Sequence, residues 1–168
     1  MTVKMIIATD QNFGIGINNS IPWDCPADMR YFRERTKGFH VVMGYNTFKS
    51  LPLDSGLPMR DNTVITRNPE KCMLINGVDY YTEVVLLDDV VGEMKLHKKE
   101  LSLDIWVIGG ASIYQQLLPY VEEIHHTIID GVYDCDTYFN MEFLKDWTLV
   151  GGKDLSENAV VNIWRKSK

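Results

Sequence analysis

The chain has 168 residues, 45% hydrophobic and 24% charged, a composition that predicts a single globular domain over 1–168 with a full core. Its net charge of −6 argues against a nonspecific nucleic-acid binder, so any anionic ligand must be held by a few local groups. No apolar run reaches membrane-spanning length, and Met1–Asp10 is too weakly apolar for a signal segment, so a cytoplasmic protein without membrane contact is expected.

Val3 to Ala8 is a short apolar run that reads as a buried strand feeding a loop. That loop, Asn12 to Ser20, carries two glycines and three asparagines and is expected to be mobile and close to a ligand. Two prolines then fence Trp23, and Pro26 suits the first helical position because its φ is preset and its missing N–H is no loss there. From that start Asp28 lies in the first turn, with Tyr31, Phe32 and Arg35 following on one helical face. Thr36-Lys-Gly38 ends the helix, Phe39 to Met43 is a second strand, and Gly44 to Leu51 is a short helix stopped by Pro52. A turn-rich segment leads through Arg60 into a third strand, Thr63 to Thr66.

Val78 to Tyr81 reads as a strand and Glu83 to Lys99 as a helix, with Gly92 a blemish inside it. Asp104 to Ile108 is a clean buried strand, followed by Gly109-Gly110 and a helix from Ala111 to Leu118 ended by Pro119. Ile124 to Ile129 is a further strand; Trp147 to Val150 and Ala159 to Trp164 form a closing antiparallel hairpin. The order predicts an α/β domain, a mostly parallel sheet of about eight strands with flanking helices and an antiparallel C-terminal edge.

Ligands of open α/β sheets sit outside the carboxyl ends of the strands. Gly109-Gly110 falls there, where backbone could approach a phosphate or simply make a tight turn. Gly44-Tyr-Asn-Thr47 is a second such junction. Arg67, just past the third strand, is open to a phosphate or to a surface acid, and Arg60 to a carboxylate ligand or to solvent. Asp28, taken with its helix alone, reads first as a helix-start acid offsetting the macrodipole and only second as a functional carboxylate. His125 and His126 are adjacent on a strand and face opposite sides, so no metal site is expected. Cys25, Cys72 and Cys135 have no C-x-x-C spacing and read as free thiols of a reducing compartment.

Five spaced blocks resemble the dihydrofolate reductase family over nearly the whole chain. They are Ala8-x-Asp-x-Asn12-x-x-Ile15-Gly16, Pro22-Trp23-x-x-Pro26-Ala-Asp28-x-x-x-Phe32, Met43-Gly44-x-x-Thr47-Phe-x-Ser50, Val107-Ile-Gly-Gly-Ala-x-Ile-Tyr114 and Asp136-Thr-x-Phe139. The resemblance implies hydride transfer from NADPH to C6 of dihydrofolate, with a proton delivered to N5. Asp28, with Trp23 and Ile21, would be the catalytic group, and a monomer is expected. Two other readings remain: a noncatalytic folate- or nucleotide-binding module on the same fold, and the related pyrimidine reductase of riboflavin synthesis.

Carried over by the same resemblance, the substrate would meet Ile6, Ala8, Asp28, Met29, Phe32 and Leu51, then Leu57, Ile108, Tyr114 and Thr127, with Arg60 on its glutamate carboxylate. The cofactor would meet Ala8, Ile15 and Gly16, then Gly44, Tyr45, Asn46 and Thr47, then Thr66 and Arg67. Its pyrophosphate and ribose would lie along Ile108, Gly109, Gly110, Ala111, Ser112, Ile113 and Tyr114. Four departures stand out: Tyr45 and Ser112 where basic residues are common, and Met59 and Cys135 where glycine is common. With fewer cations, the 2′-phosphate of NADPH would rely on Arg67.

Overall fold

The opening apolar run forms β1 (Val3–Thr9), which lies inside an eight-stranded sheet rather than at its edge. The structure is a computed structural model describing residues 2–68, 82–96 and 104–167. In chain order the elements are β1, β2 (Gly14–Gly16), α1 (Pro26–Thr36), β3 (His40–Gly44), α2 (Tyr45–Ser50), β4 (Asp61–Ile65) and β5 (Thr82–Val85). There follow α3 (Leu87–Leu96), β6 (Ile105–Val107), α4 (Ala111–Leu117), β7 (Glu123–Ile129), β8 (Thr137–Tyr138), β9 (Trp147–Ser156) and β10 (Ala159–Lys166). The sheet order is β5-β4-β3-β6-β1-β7-β10-β9. Every pairing from β5 to β7 is parallel, and β10 pairs antiparallel with both β7 and β9. The expected mostly parallel sheet with an antiparallel C-terminal edge is therefore present.

Strands buried on both faces explain the unbroken apolar runs. Val42, Ile105 and Val107 pack on one face with Val90 of α3 and Ile113 and Leu117 of α4. Val41, Met43, Val64 and Trp106 pack on the other with Tyr31 of α1 and Phe48 of α2. Helices α1 and α4 thus leave the neighbouring strands β1 and β6 toward opposite faces, and a crevice opens at the strand ends where they diverge.

Three local expectations change. Thr82–Val85 is a strand, so the helix expected from Glu83 begins only at Leu87. The β-branched pair Val84-Val85 is claimed by parallel pairing with Val64 and Ile65, a tertiary contact that overrides helical periodicity. The strand read at Val78 to Tyr81 lies outside the described residues. The Asn12 to Ser20 loop holds regular structure: β2 pairs with β8, and an isolated bridge joins Ile17 to Ser20. Finally Pro119 does not stop the chain turning, because Leu118–Tyr120 continues as a 3-10 helix in which it occupies a first-turn position.

Candidate active site

Two adjoining cavities occupy the crevice, about 560 Å³ and about 970 Å³. Asn19, Thr47, Gly110, Ala111 and Thr137 line both, so they form one cleft with two compartments. The inner one is walled by Ala8 at the end of β1, Trp23, Asp28 and Met29 of the α1 region, Leu51, and Ile108 and Tyr114 beyond β6. The outer one runs over Gly44 to Thr47, Thr66, Arg67, Leu86 to Asp88 and the start of α4.

Pro26 opens α1 as expected, and Asp28 in its first turn is 9% exposed. Asp24, the other carboxylate of the inner compartment among the described residues, is exposed. Burial raises the Asp28 carboxyl above its ordinary pKa, and the neighbouring Thr127 hydroxyl pulls it partly back. Thr127 Oγ1 is itself buried and completes no well-formed hydrogen bond with a protein group. The Thr127 hydroxyl therefore keeps unused hydrogen-bonding capacity behind the Asp28 carboxyl, which itself lines the cleft. Across from it Tyr114 Oη donates to Ile6 O at 2.8 Å, and burial, then the Asp28 charge, hold this phenol neutral. The wall around the carboxylate is apolar: Trp23 is buried and stacks edge-on against Tyr133 at 5.5 Å.

The glycine turns join the compartments. Gly44 N donates to Gly109 O at 2.7 Å, bringing the ends of β3 and β6 into contact. A Cβ on Gly44 would lie 2.9 Å from Ile113 Cγ1, so glycine is required for that approach. Gly109 has φ +113°, in the region side chains avoid, and a Cβ there would press on Tyr114. Gly110 follows through a cis peptide and faces Thr47 Oγ1, leaving a narrow backbone cradle between two strand-to-helix junctions. Such a cradle of amides and hydroxyls, with Arg67 at its outer end, suits a phosphate-bearing ligand.

Most of the expected site residues come together here. Ile15, Gly16, Ile21, Trp23, Asp28 and Met29 line the inner compartment, and Tyr45, Asn46, Thr66, Arg67, Ser112 and Ile113 the outer one. Ile21 and Met29 are about half exposed, at its rim. Ile6, Phe32, Leu57 and Thr127 sit behind this lining: Ile6 is buried in the core beneath α1, where Phe32 and Leu57 pack against the same cluster. Arg60 lies farther off, at the C-terminal end of α1. Its Nε donates to Thr36 Oγ1 at 2.9 Å, while its terminal nitrogens donate to the carbonyls of Pro58 and Arg33. Burial and the nearby Arg33 charge lower its pKa.

Other lining residues carry weaker sequence signals. Asn19 sits in both compartments and its side chain donates to Asn46 O at 2.9 Å, tying the β2 loop to α2. Its φ of 58° is a conformation that asparagine tolerates, so the Asn18-Asn19 pair was the available clue. Leu86, Leu87 and Asp88 form a third strand-to-helix junction in the outer wall, hidden by reading this stretch as continuous helix. Asp10 is the loop's anchor: its carboxylate accepts from the amides of Asn12, Gly14 and Tyr133 at 2.9 Å each. Two departures also find places. Met59 adopts φ 60°, the conformation a glycine would take freely, and the Cys135 thiol fills the space where Gly14 lacks a side chain.

The chain matches the family model described as dihydrofolate reductase over residues 2–163. It is 32% identical to dihydrofolate reductase type 9 of Escherichia coli over 167 residues, 97% of this chain and 92% of that protein. It is 31% identical to dihydrofolate reductase of Buchnera aphidicola over 160 residues, 94% and 89% of the two chains. Among solved structures it resembles dihydrofolate reductase from Enterococcus faecalis complexed with NADP(H). That likeness has a TM-score of 0.83 at 21% identity and covers 99% of this chain and 97% of the other.

Proposed function

The chain belongs to the dihydrofolate reductase family, and on that premise we propose that dihydrofolate binds over Asp28 in the inner compartment with NADPH along the outer one. The protein is an NADPH-dependent oxidoreductase that reduces dihydrofolate to tetrahydrofolate. The observation that carries the site assignment is the buried, apolar-walled carboxylate of Asp28 at one end of a cleft whose other end is a glycine cradle with a cation. NADPH, when bound, supplies the hydride that goes to pterin C6.

The chain's own residues orient and shield. Asp28 accepts hydrogen bonds from the pterin 2-amino group and N3, which fixes the ring and favours its protonated form. Thr127, with its unsatisfied hydroxyl, completes that contact. Trp23, Ile21 and the β2 loop limit water around N5, which receives its proton from solvent rather than from the distant carboxylate. The Gly44, Thr47 and Gly109–Ile113 backbone holds the cofactor, Arg67 takes the 2′-phosphate, and Arg60 with Phe32, Leu51 and Leu57 receives the glutamate end. Holding two rings in register is the main catalytic device, with well-oriented partners worth roughly 7–11 kcal/mol. The protein is read as a monomer formed of a single domain, and the free thiols of Cys25 and Cys135 suit the reducing cytoplasm. Steady-state turnover with dihydrofolate and each of NADPH and NADH tests the assignment: NADPH is consumed only when dihydrofolate is present, and NADH is used less efficiently. A protein that oxidises neither is not this enzyme.

A further inference from the structure

Behind α1 lies a row of polar side chains to which the family reading gives no task. Glu123, His125 and Thr127 alternate along β7 and so share one face of the strand. Thr127 neighbours the Asp28 carboxyl. Two residues before it, His125 Nδ1 lies 2.7 Å from Tyr31 Oη, and His125 Nε2 lies 2.9 Å from Glu123 Oε1. Arg165 Nε donates to the other Glu123 oxygen at 2.9 Å, and Lys4 Nζ is 3.3 Å from the first. Tyr31, His125 and Glu123 are 2%, 4% and 7% exposed, so the three polar groups meet one another largely out of solvent.

The chemistry dictates the direction of the chain. A carboxylate flanked by lysine and arginine only accepts, so His125 carries its proton on Nε2. His125 Nδ1 is then an acceptor, and the Tyr31 hydroxyl donates to it. Tyr31 is one helical turn after Asp28, and His125 is one strand repeat before Thr127, so two matched contacts fasten α1 to β7. We propose that Tyr31, His125 and Glu123 are positioning residues for Asp28, holding its helix in register with Thr127 and turning the Tyr31 proton away from the carboxylate. This rests on the reading of Asp28 as the pterin's anchor. The remaining charges around the array come from each neighbouring element. Arg35 of α1 lies 5.1 Å and Lys153 of β9 5.5 Å over the Tyr31 ring. A rear cavity of about 320 Å³ is lined by Glu34 of α1 with Glu123, His125 and Arg165, Asp104 before β6 pairs with Lys4 at 2.9 Å, and His125 rests edge-on against Trp106 at 4.9 Å. Burial, the largest influence on His125, keeps it neutral, and Tyr114 beyond Asp28 is neutral too.

The test is steady-state kinetics across pH for Tyr31→Phe, which removes one oxygen, and for His125→Phe and His125→Gln. The first two are expected to raise KM for dihydrofolate about three- to tenfold, the scale of one lost buried hydrogen bond. They should also move the alkaline limb of kcat/KM to lower pH by about half a unit, because a loosened carboxylate favours protonated pterin less. KM for NADPH stays unchanged, and His125→Gln, which keeps an acceptor, recovers much of the loss. Nitrogen-15 NMR of the unmodified protein without substrate should show His125 protonated on Nε2 alone at neutral pH, which decides the matter even if His125→Phe does not fold. An unchanged dihydrofolate KM and pH limb in Tyr31→Phe, or a proton on His125 Nδ1, overturns the proposal. Full activity of Asp28→Asn would instead overturn the parent reading, and the NMR result is independent of it.

Discussion

At the scale of single residues, the cleft contrasts a carboxylate that is hard to ionise with a cation in the open. Thr127 is the group that eases ionisation of Asp28 against burial. Thr127→Val is therefore expected to raise the Asp28 titration midpoint in the ligand-free enzyme by about half to one pH unit, followed by carbon-13 NMR of the carboxyl. A midpoint that stays put would show that the hydroxyl does not act on Asp28. Arg67 is exposed at the end of the outer compartment, and among the described residues lining it the positions of Tyr45 and Ser112 carry no positive charge. Arg67→Ala is expected to raise KM for NADPH about tenfold, as for a charged hydrogen bond, while leaving KM for NADH within about twofold. Equal losses for both cofactors would place the 2′-phosphate elsewhere. Asp28 was legible because its block names both the helix start and its ring neighbours. Arg60 was legible as a cation, but its burial against Thr36 and the carbonyls of Pro58 and Arg33 depends on a fold-back that spacing does not encode.

At the scale of elements, the legible parts are those where one local rule acts alone. Pro26 fixes the start of α1, and the apolar runs at Val3 and Ile105 leave no choice but a buried strand. The illegible parts are those where a distant partner decides. Thr82–Val85 becomes a strand because β4 offers it an edge, and Gly14–Gly16 becomes one because Thr137–Tyr138 comes from far along the chain to pair with it. Consequently the third junction of the outer wall, at Leu86 to Asp88, stayed hidden while the two glycine junctions did not. The contact between those glycine junctions predicts a specific sensitivity. Gly44→Ala puts a Cβ 2.9 Å from Ile113 Cγ1, near the backbone end of a branched side chain that cannot swing clear. Urea unfolding is expected to show a loss of about 1–3 kcal/mol, and KM for NADPH to rise with it. A variant as stable as the parent, with unaltered cofactor affinity, would mean that α4 and β3 are not held at that spacing.

At the scale of the molecule, two buried groups on β7 set the acid limit. His126, hydrogen-bonded to Thr9 at 2.9 Å, is lowered by burial to about 4 from 6.5, so between those values the unfolded chain binds the extra proton. Stability therefore falls as pH drops from about 6.5 toward 4, by roughly 3 kcal/mol at the limit. Glu123 adds a second window. Burial would raise its carboxyl, but His125, Arg165 and Lys4 outweigh that and hold it at about 2 against 4.5. Its contribution is present above about 4.5 and is lost on acidification toward 2. Denaturant unfolding from pH 7 to 4 is expected to show the first loss, and its abolition in His126→Leu to identify the group. Asp28 works against stability in the opposite sense, since burial raises its pKa and penalises the charged form. Asp28→Asn is thus expected to melt no lower than the parent, which makes it a clean probe of chemistry. The most direct measurement is dihydrofolate-dependent NADPH oxidation by the parent and by Asp28→Asn at neutral pH, with NADPH binding measured alongside. Steady oxidation by the parent, a loss of roughly 10²–10³-fold in the variant, and unchanged NADPH affinity are the expected results. A parent that leaves NADPH untouched, or a variant that turns over as fast, would contradict them.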